Sequence, residues 1–222
     1  MLSQLQYTVS QDLLKMASTY NTDEFRQSIN RPTGDFFYDP WIIKEEFIGS
    51  PWEKILQTLP CNVGEARIIT LKPGTCYTIH ADIDDRYHLS MTGDYSYLVD
   101  LDSNHIHKTD QDGIWYDMDA GRLHSAVNFG RLPRVQLVVR KLLNKTELKK
   151  PVDIKVTTNI SNLDKARFDF DQHISCWLNR ANKKKIISDF SYVGAVVSFK
   201  LESEYIEEFK QCAGKSFNVD II

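Results

Sequence analysis

The chain has 222 residues, 26% of them charged and 11% aromatic, with a formal net charge of −3. That length holds one good core plus an appendage, and so small a charge gives no global pull toward nucleic acid. The longest apolar stretches, "VGAVVSF" and "VQLVV", fall far short of the roughly 20 residues of a membrane span, and "MLSQLQYTVSQDLL" lacks the basic lead and apolar centre of a signal peptide.

Cytoplasmic residence, with no membrane or nucleic-acid partner, is therefore expected. Cys61, Cys76, Cys176 and Cys212 lie far apart without zinc-ribbon spacing and read as thiols rather than disulfides. In that setting the N-x-S/T matches at Asn144 and Asn159 carry no meaning as glycosylation sites. The acidic stretch from Asp82 to Asp119 and the basic one from Arg131 to Lys150 read as solvated surface.

Residues 1–60 read as helical or irregular and are expected to pack on the core. "SQDLLKMASTY" has helical spacing behind a Ser10 cap, and "SPWEKILQTL" has Ser50 as cap with Pro51 at the first helical position. From Gly64 the apolar period changes to two. "EARIITL", "TCYTIH", "RYHLSM", "YSYLVDL", "GIWYDM", "LHSAVNF" and "RVQLVVR" follow one another, separated by turn signals such as "KPG" and "TGD". Short strands at this spacing favour a mainly β fold, an antiparallel jelly roll spanning 61–145. Residues 146–222 read as a small α+β extension packed on the barrel or on a partner, or mediating self-association. Its expected elements are a helix in "LDKARFDFDQHISCWLNRANKKK", a strand "YVGAVVSFKL", a helix "SEYIEEFKQCAG" and a strand "SFNVDII". The lysines of "NKKK" read as a solvated helix C-terminus.

The chemistry concentrates in "HADIDDRYH". In a strand, residues i and i+2 share a face, so His80 and Asp82 can offer an imidazole and a carboxylate to one ion. His124, on a later strand, supplies a second imidazole. Two neutral imidazoles and one carboxylate form the facial triad of non-haem Fe(II) oxygenases, which leaves coordination positions open for an oxo-acid and dioxygen. Arg134 suits the distal carboxylate of 2-oxoglutarate, because a guanidinium grips a carboxylate in a planar, bidentate way. If "NFGRLPRV" is a hairpin connection, Arg134 lies opposite about Phe129, and Arg131 is the edge residue. His105 and His107 read as surface residues, Trp115 as core packing, and Tyr77 and Asn128 as pocket candidates.

"HADIDDRYHLSM", followed by "AGRLHSAVNFGRLPRVQLVV", resembles the aspartyl/asparaginyl β-hydroxylase-like branch of Fe(II)/2-oxoglutarate dioxygenases, and is also similar to bacterial free-proline hydroxylases. Arg86, His88 and Leu89 match that family's R-x-H-L element, and His124 with Arg134 matches its ten-residue spacing from second metal histidine to oxoglutarate arginine. The histidine-x-aspartate form at His80 and Asp82 follows the proline hydroxylases, since the animal β-hydroxylases have no carboxylate there. The resemblance covers about residues 64–142. It implies a double-stranded β-helix with His80, Asp82 and His124 on iron, Arg134 on the distal oxoglutarate carboxylate, and Arg86 or His88 near its proximal end. The implied activity is hydroxylation of an amino acid, free or within a peptide, with release of succinate and CO2. A metal-binding cupin-like module, non-catalytic or independent of 2-oxoglutarate, is the alternative.

Overall fold

A computed structural model describes residues 1–19, 26–158 and 163–222. Tyr20, at the end of the first expected helix, and the Asn159 match lie outside the described residues. In chain order the N-terminal elements are β1 (Leu2–Thr8), α1 (Gln11–Ser18), β2 (Arg26–Ser28), β3 (Asn30–Pro32), β4 (Trp41–Ile43) and α2 (Pro51–Leu56). Next come β5 (Ala66–Leu71), β6 (Thr75–Cys76), β7 (Arg86–Thr92), β8 (Ser96–Asp100), β9 (His105–Lys108), β10 (Ile114–Met118), β11 (His124–Asn128) and β12 (Arg134–Arg140). The last stretch carries β13 (Pro151–Thr158), α3 (Leu163–Asp169), α4 (Cys176–Lys183), β14 (Ile187–Val193), β15 (Val196–Glu202), α5 (Ile206–Ala213) and β16 (Phe217–Ile221).

The protein is mainly β, and its sheets are antiparallel and open. One sheet runs β1-β10-β7-β12-β5-β2 and a second runs β6-β11-β8-β9. From β5 to β12 the chain passes repeatedly between these two sheets, and side chains from both line a common cavity. A third sheet, β14-β15-β13-β16, belongs to the C-terminal region.

The alternation of β7 and β12 explains why both faces of the larger sheet are buried. Leu89, Met91, Leu137 and Val139 point outward, where α1 and α2 cover them with Leu14, Ala17, Trp52 and Ile55. Arg86, His88, Arg134, Gln136 and Val138 take the opposite phase and line the cavity between the sheets. Trp115 packs in the outer core and donates its indole N–H to Thr58 Oγ1 at 2.8 Å. Ser10 and Ser50 cap α1 and α2 by accepting backbone N–H groups, and Pro51 stands at the first turn of α2.

Several expectations need correction. The first sixty residues are not only helical or irregular, because β1 pairs with β10 and β2 with β5 at the edges of the larger sheet. "TCYTIH" is a strand over Thr75–Cys76 only, after which His80 rejoins through an isolated bridge to His124. "YVGAVVSFKL" is a hairpin rather than one strand, since Gly194 turns the chain at φ 61° between β14 and β15. β11 and β12 are not a hairpin. They lie in different sheets, and Arg134 pairs with Leu71 rather than with Phe129.

The C-terminal sheet carries α4 and α5 on one face, burying Ile154, Val156, Trp177, Phe199, Leu201 and Phe209. A π-helical stretch, Phe170–Ser175, joins α3 to α4. This region docks on the centre through Asp85, whose Oδ1 accepts Asn179 Nδ2 at 3.0 Å and pairs with Lys183 Nζ at 3.0 Å. Gly121 is needed at that junction, because a Cβ there would stand 2.3 Å from the Asn179 side chain. All four cysteines are free thiols. No helix among the described residues is long and apolar enough to cross a membrane.

Candidate metal centre

His80 and His124 face each other across the bridge that joins the end of the "TCYTIH" segment to β11. His80 N donates to His124 O at 3.0 Å and His124 N to His80 O at 2.8 Å, which sets the ring centroids 4.3 Å apart. Each imidazole gives its Nδ1–H to a carbonyl two residues earlier, His80 to Thr78 at 2.8 Å and His124 to Arg122 at 2.7 Å. A carbonyl only accepts, so both rings hold the Nδ1–H tautomer and present the Nε2 lone pair inward, as metal-binding histidines do.

Asp82 completes the set. Its backbone N–H is fixed by Ala120 O at 2.8 Å, its Oδ1 takes Arg86 Nη2 at 2.9 Å, and its Oδ2 lies 3.9 Å from His124 Nε2. One donor atom from each of His80, Asp82 and His124 falls within 4.8 Å of the others, a grouping that could hold a metal ion. Burial alone would raise the Asp82 carboxyl, but the Arg86 guanidinium and the two imidazoles outweigh it and hold the group well below the usual carboxylate range. Burial pushes His124 down to about 4, with His80 adding to the effect against the pull of Asp82. The donor set is thus two imidazoles presenting Nε2 and one carboxylate, an arrangement that could hold a metal ion.

Arg134, 1% exposed, lines the same cavity, and its Nε and Nη2 have no hydrogen-bond partner. Burial pushes the guanidinium down to about 10, against a weaker upward pull from Tyr77. An unpaired buried cation is costly unless an anion meets it.

His88 is buried with Nδ1 3.1 Å from Gln136 Oε1, and Gln136 in turn donates to Ser90 Oγ at 3.0 Å. Its pKa falls to about 3, chiefly through burial, so the ring is neutral. Arg86 lines the cavity too, but it is held by Asp82 and Asp84 together and so braces the first of these rather than standing open.

Of the remaining candidates, Tyr77 lines this cavity. Asn128 does not: its amide ties the β11–β12 connection to Leu71 O and Leu132 O at 3.0 and 2.9 Å. His105 and His107 sit together on β9, ring centroids 4.3 Å apart, away from the triad. Arg131 is exposed.

Asp84, two residues beyond Asp82, is 2% exposed and bonded to both Arg86 and Arg140, the latter at 2.6 Å. Sequence reasoning passed over Arg67, an arginine inside the apolar strand "EARIITL" that also lines the cavity.

No family model and no curated protein matches the sequence. Among solved structures the chain is similar to AviO1 from Streptomyces viridochromogenes Tue57, with 8% identity over 63% of this chain and 88% of that one at a TM-score of 0.41. A likeness that distant carries no weight for fold or activity.

Proposed function

We propose that the protein is an Fe(II)- and 2-oxoglutarate-dependent dioxygenase that hydroxylates an amino acid, free or in a peptide. The observation that carries this reading is one cavity holding both a two-histidine, one-carboxylate donor set and a buried arginine with unpartnered guanidinium nitrogens. The proposed scaffold is a double-stranded β-helix over 61–145, with 1–60 and 146–222 packed on it; the pairing orders β10-β7-β12-β5 and β6-β11-β8-β9, with the chain alternating between them, support it.

His80, Asp82 and His124 would hold the iron, which when bound supplies the dioxygen chemistry that no side chain can perform. The chain's own groups bind and orient. Thr78 and Arg122 carbonyls fix the histidine tautomers, and Arg86 keeps Asp82 ionised and aimed. Arg134 receives the distal carboxylate of 2-oxoglutarate, while His88, kept neutral, walls the cavity without adding a charge of its own. The overall balance is substrate C–H, dioxygen and 2-oxoglutarate to alcohol, succinate and CO2.

The test is to load the protein with Fe(II), supply 2-oxoglutarate with a panel of amino acids and peptides, and measure succinate and hydroxylated product by mass spectrometry. Succinate formation stimulated by one class of substrate is expected. Iron binding without any 2-oxoglutarate consumption would overturn the reading in favour of a cupin-like module that uses metal alone.

A further inference from the structure

A second, larger space opens beside the metal centre. It is a cleft of about 680 Å³ between the inner face of the larger sheet and the C-terminal region, and Asp82, Arg86 and Arg67 line both it and the cavity of the triad. Its far wall is apolar: Phe170 from the π-helical stretch, Phe190 and Tyr192 from β14, and Phe217 from β16. Tyr192 is 57% exposed at the rim, and its ring centroid lies 6.5 Å from that of Phe170.

The near wall is cationic beyond what its own acids neutralise. Among the described residues it carries Arg26, Arg67, Arg86 and Arg140 against Glu65, Asp82 and Asp84, while Arg167 and Asp171 stand on the C-terminal side. Arg67 is the worst served of these. Its Nη1 reaches Glu65 Oε2 only at 3.7 Å, while that carboxylate is engaged more closely by Arg26 at 3.0 Å and by Ser28. Its Nε is buried with no hydrogen-bond partner, and the side chain is 12% exposed. Burial, then the nearby Arg86 and Arg26 charges, push the guanidinium down to about 10. An anion entering the cleft would relieve all three burdens at once.

We infer that this cleft is the substrate site, that its substrate is a carboxylate with an apolar or aromatic body, and that Arg67 is the residue that binds the carboxylate while the C-terminal aromatic wall holds the body. This rests on the oxygenase reading only for the cleft's place beside the metal ligands. Arg67 is a specificity residue distinct from Arg134, which the inner cavity keeps for the cosubstrate.

The probe pair is 3-phenylpropionate and its neutral amide, titrated by ligand-observed NMR into metal-free protein so that the carboxylate cannot be held by an ion. Wild type is expected to prefer the acid by about tenfold, the equivalent of about 1.4 kcal/mol. Arg67→Met should reduce that preference to within about twofold, and Arg67→Lys should keep only part of it, having lost the planar fork. Tyr192→Ser, at an exposed rim position, should weaken acid and amide alike. Equal binding of acid and amide by wild type overturns the proposal without recourse to any variant. So does a preference that appears only with Mn(II) bound, or an Arg67→Met protein in which 2-oxoglutarate affinity falls while the acid preference stays. Succinate production without any acid preference would sink this inference alone; an acid preference without iron or 2-oxoglutarate binding would sink the oxygenase reading and leave the cleft assignment standing.

Discussion

Arg134 and Asp84 are both buried and charged, yet they should respond to substitution in opposite ways. Arg134→Lys keeps the cation and loses the bidentate fork, so 2-oxoglutarate binding should weaken by about tenfold or more while metal affinity stays nearly unchanged, as read by parallel titrations of metal and cosubstrate. Asp84 sits between Arg86 and Arg140 at 2% exposure, and Asp84→Ala strands the Arg140 guanidinium and leaves Arg86 with Asp82 alone. A loss of about 3 to 5 kcal/mol in urea-unfolding stability is expected, whereas a change under about 0.5 kcal/mol would show that the cluster is solvated. His80, Asp82, His124 and Arg134 line one cavity, although His80 and Asp82 lie outside any continuous strand and are brought together by the bridge to His124. Phase alone could not show that Arg140, 56 residues later, would close on Asp84. For the same reason Arg67 escaped notice: its significance lies in Arg26 and Ser28 occupying Glu65 from another strand.

Among elements, those with a clean alternation were legible and those at edges were not. β7 and β12 could be read because every second residue is apolar and faces α1 and α2. β1, "LSQLQYT", is an edge strand whose exposed glutamines and serine dilute the pattern; β13, "PVDIKVTT", is an inner strand but buries only Ile154 and Val156 between charged and polar residues. The hairpin at Gly194 was hidden because apolar residues flank the turn on both sides. The contacts by which the C-terminal region docks were not legible, since they depend on Gly121 lying under Asn179. Gly121→Ala should therefore cost about 1 to 3 kcal/mol by overpacking and loosen α4. Hydrogen exchange is expected to speed up in α4 and the π-helical stretch before it does in β7, and equal protection in both proteins would place Asn179 elsewhere.

At the scale of the whole molecule, acid should weaken the metal-free fold earlier than carboxylates alone would cause. His88 and His124 have folded pKa values of about 3 and about 4 against about 6.5 in the unfolded chain. As pH falls from about 6.5, the unfolded chain takes up protons that these buried rings refuse, and stability falls. Asp171 acts in the opposite sense: burial raises it to about 6, so its proton returns to the folded state first and offsets one histidine. The net slope between pH 6 and 5 is about one proton, or about 1.4 kcal/mol per pH unit, measurable as a falling urea midpoint. A flat midpoint over that window would mean that the two rings reach water.

The central claim is that His80, Asp82 and His124 form one metal site, with His124 on β11, His80 at the bridge to it and Asp82 two residues beyond. Anaerobic titration of Fe(II) or Mn(II) into the wild-type, Asp82→Ala and His124→Ala proteins, with bound metal counted per chain, tests it most directly. One ion per wild-type chain is expected, with binding weakened more than about a hundredfold in His124→Ala because the ion loses a direct ligand, and weakened also in Asp82→Ala. Undiminished binding in His124→Ala would contradict the assignment.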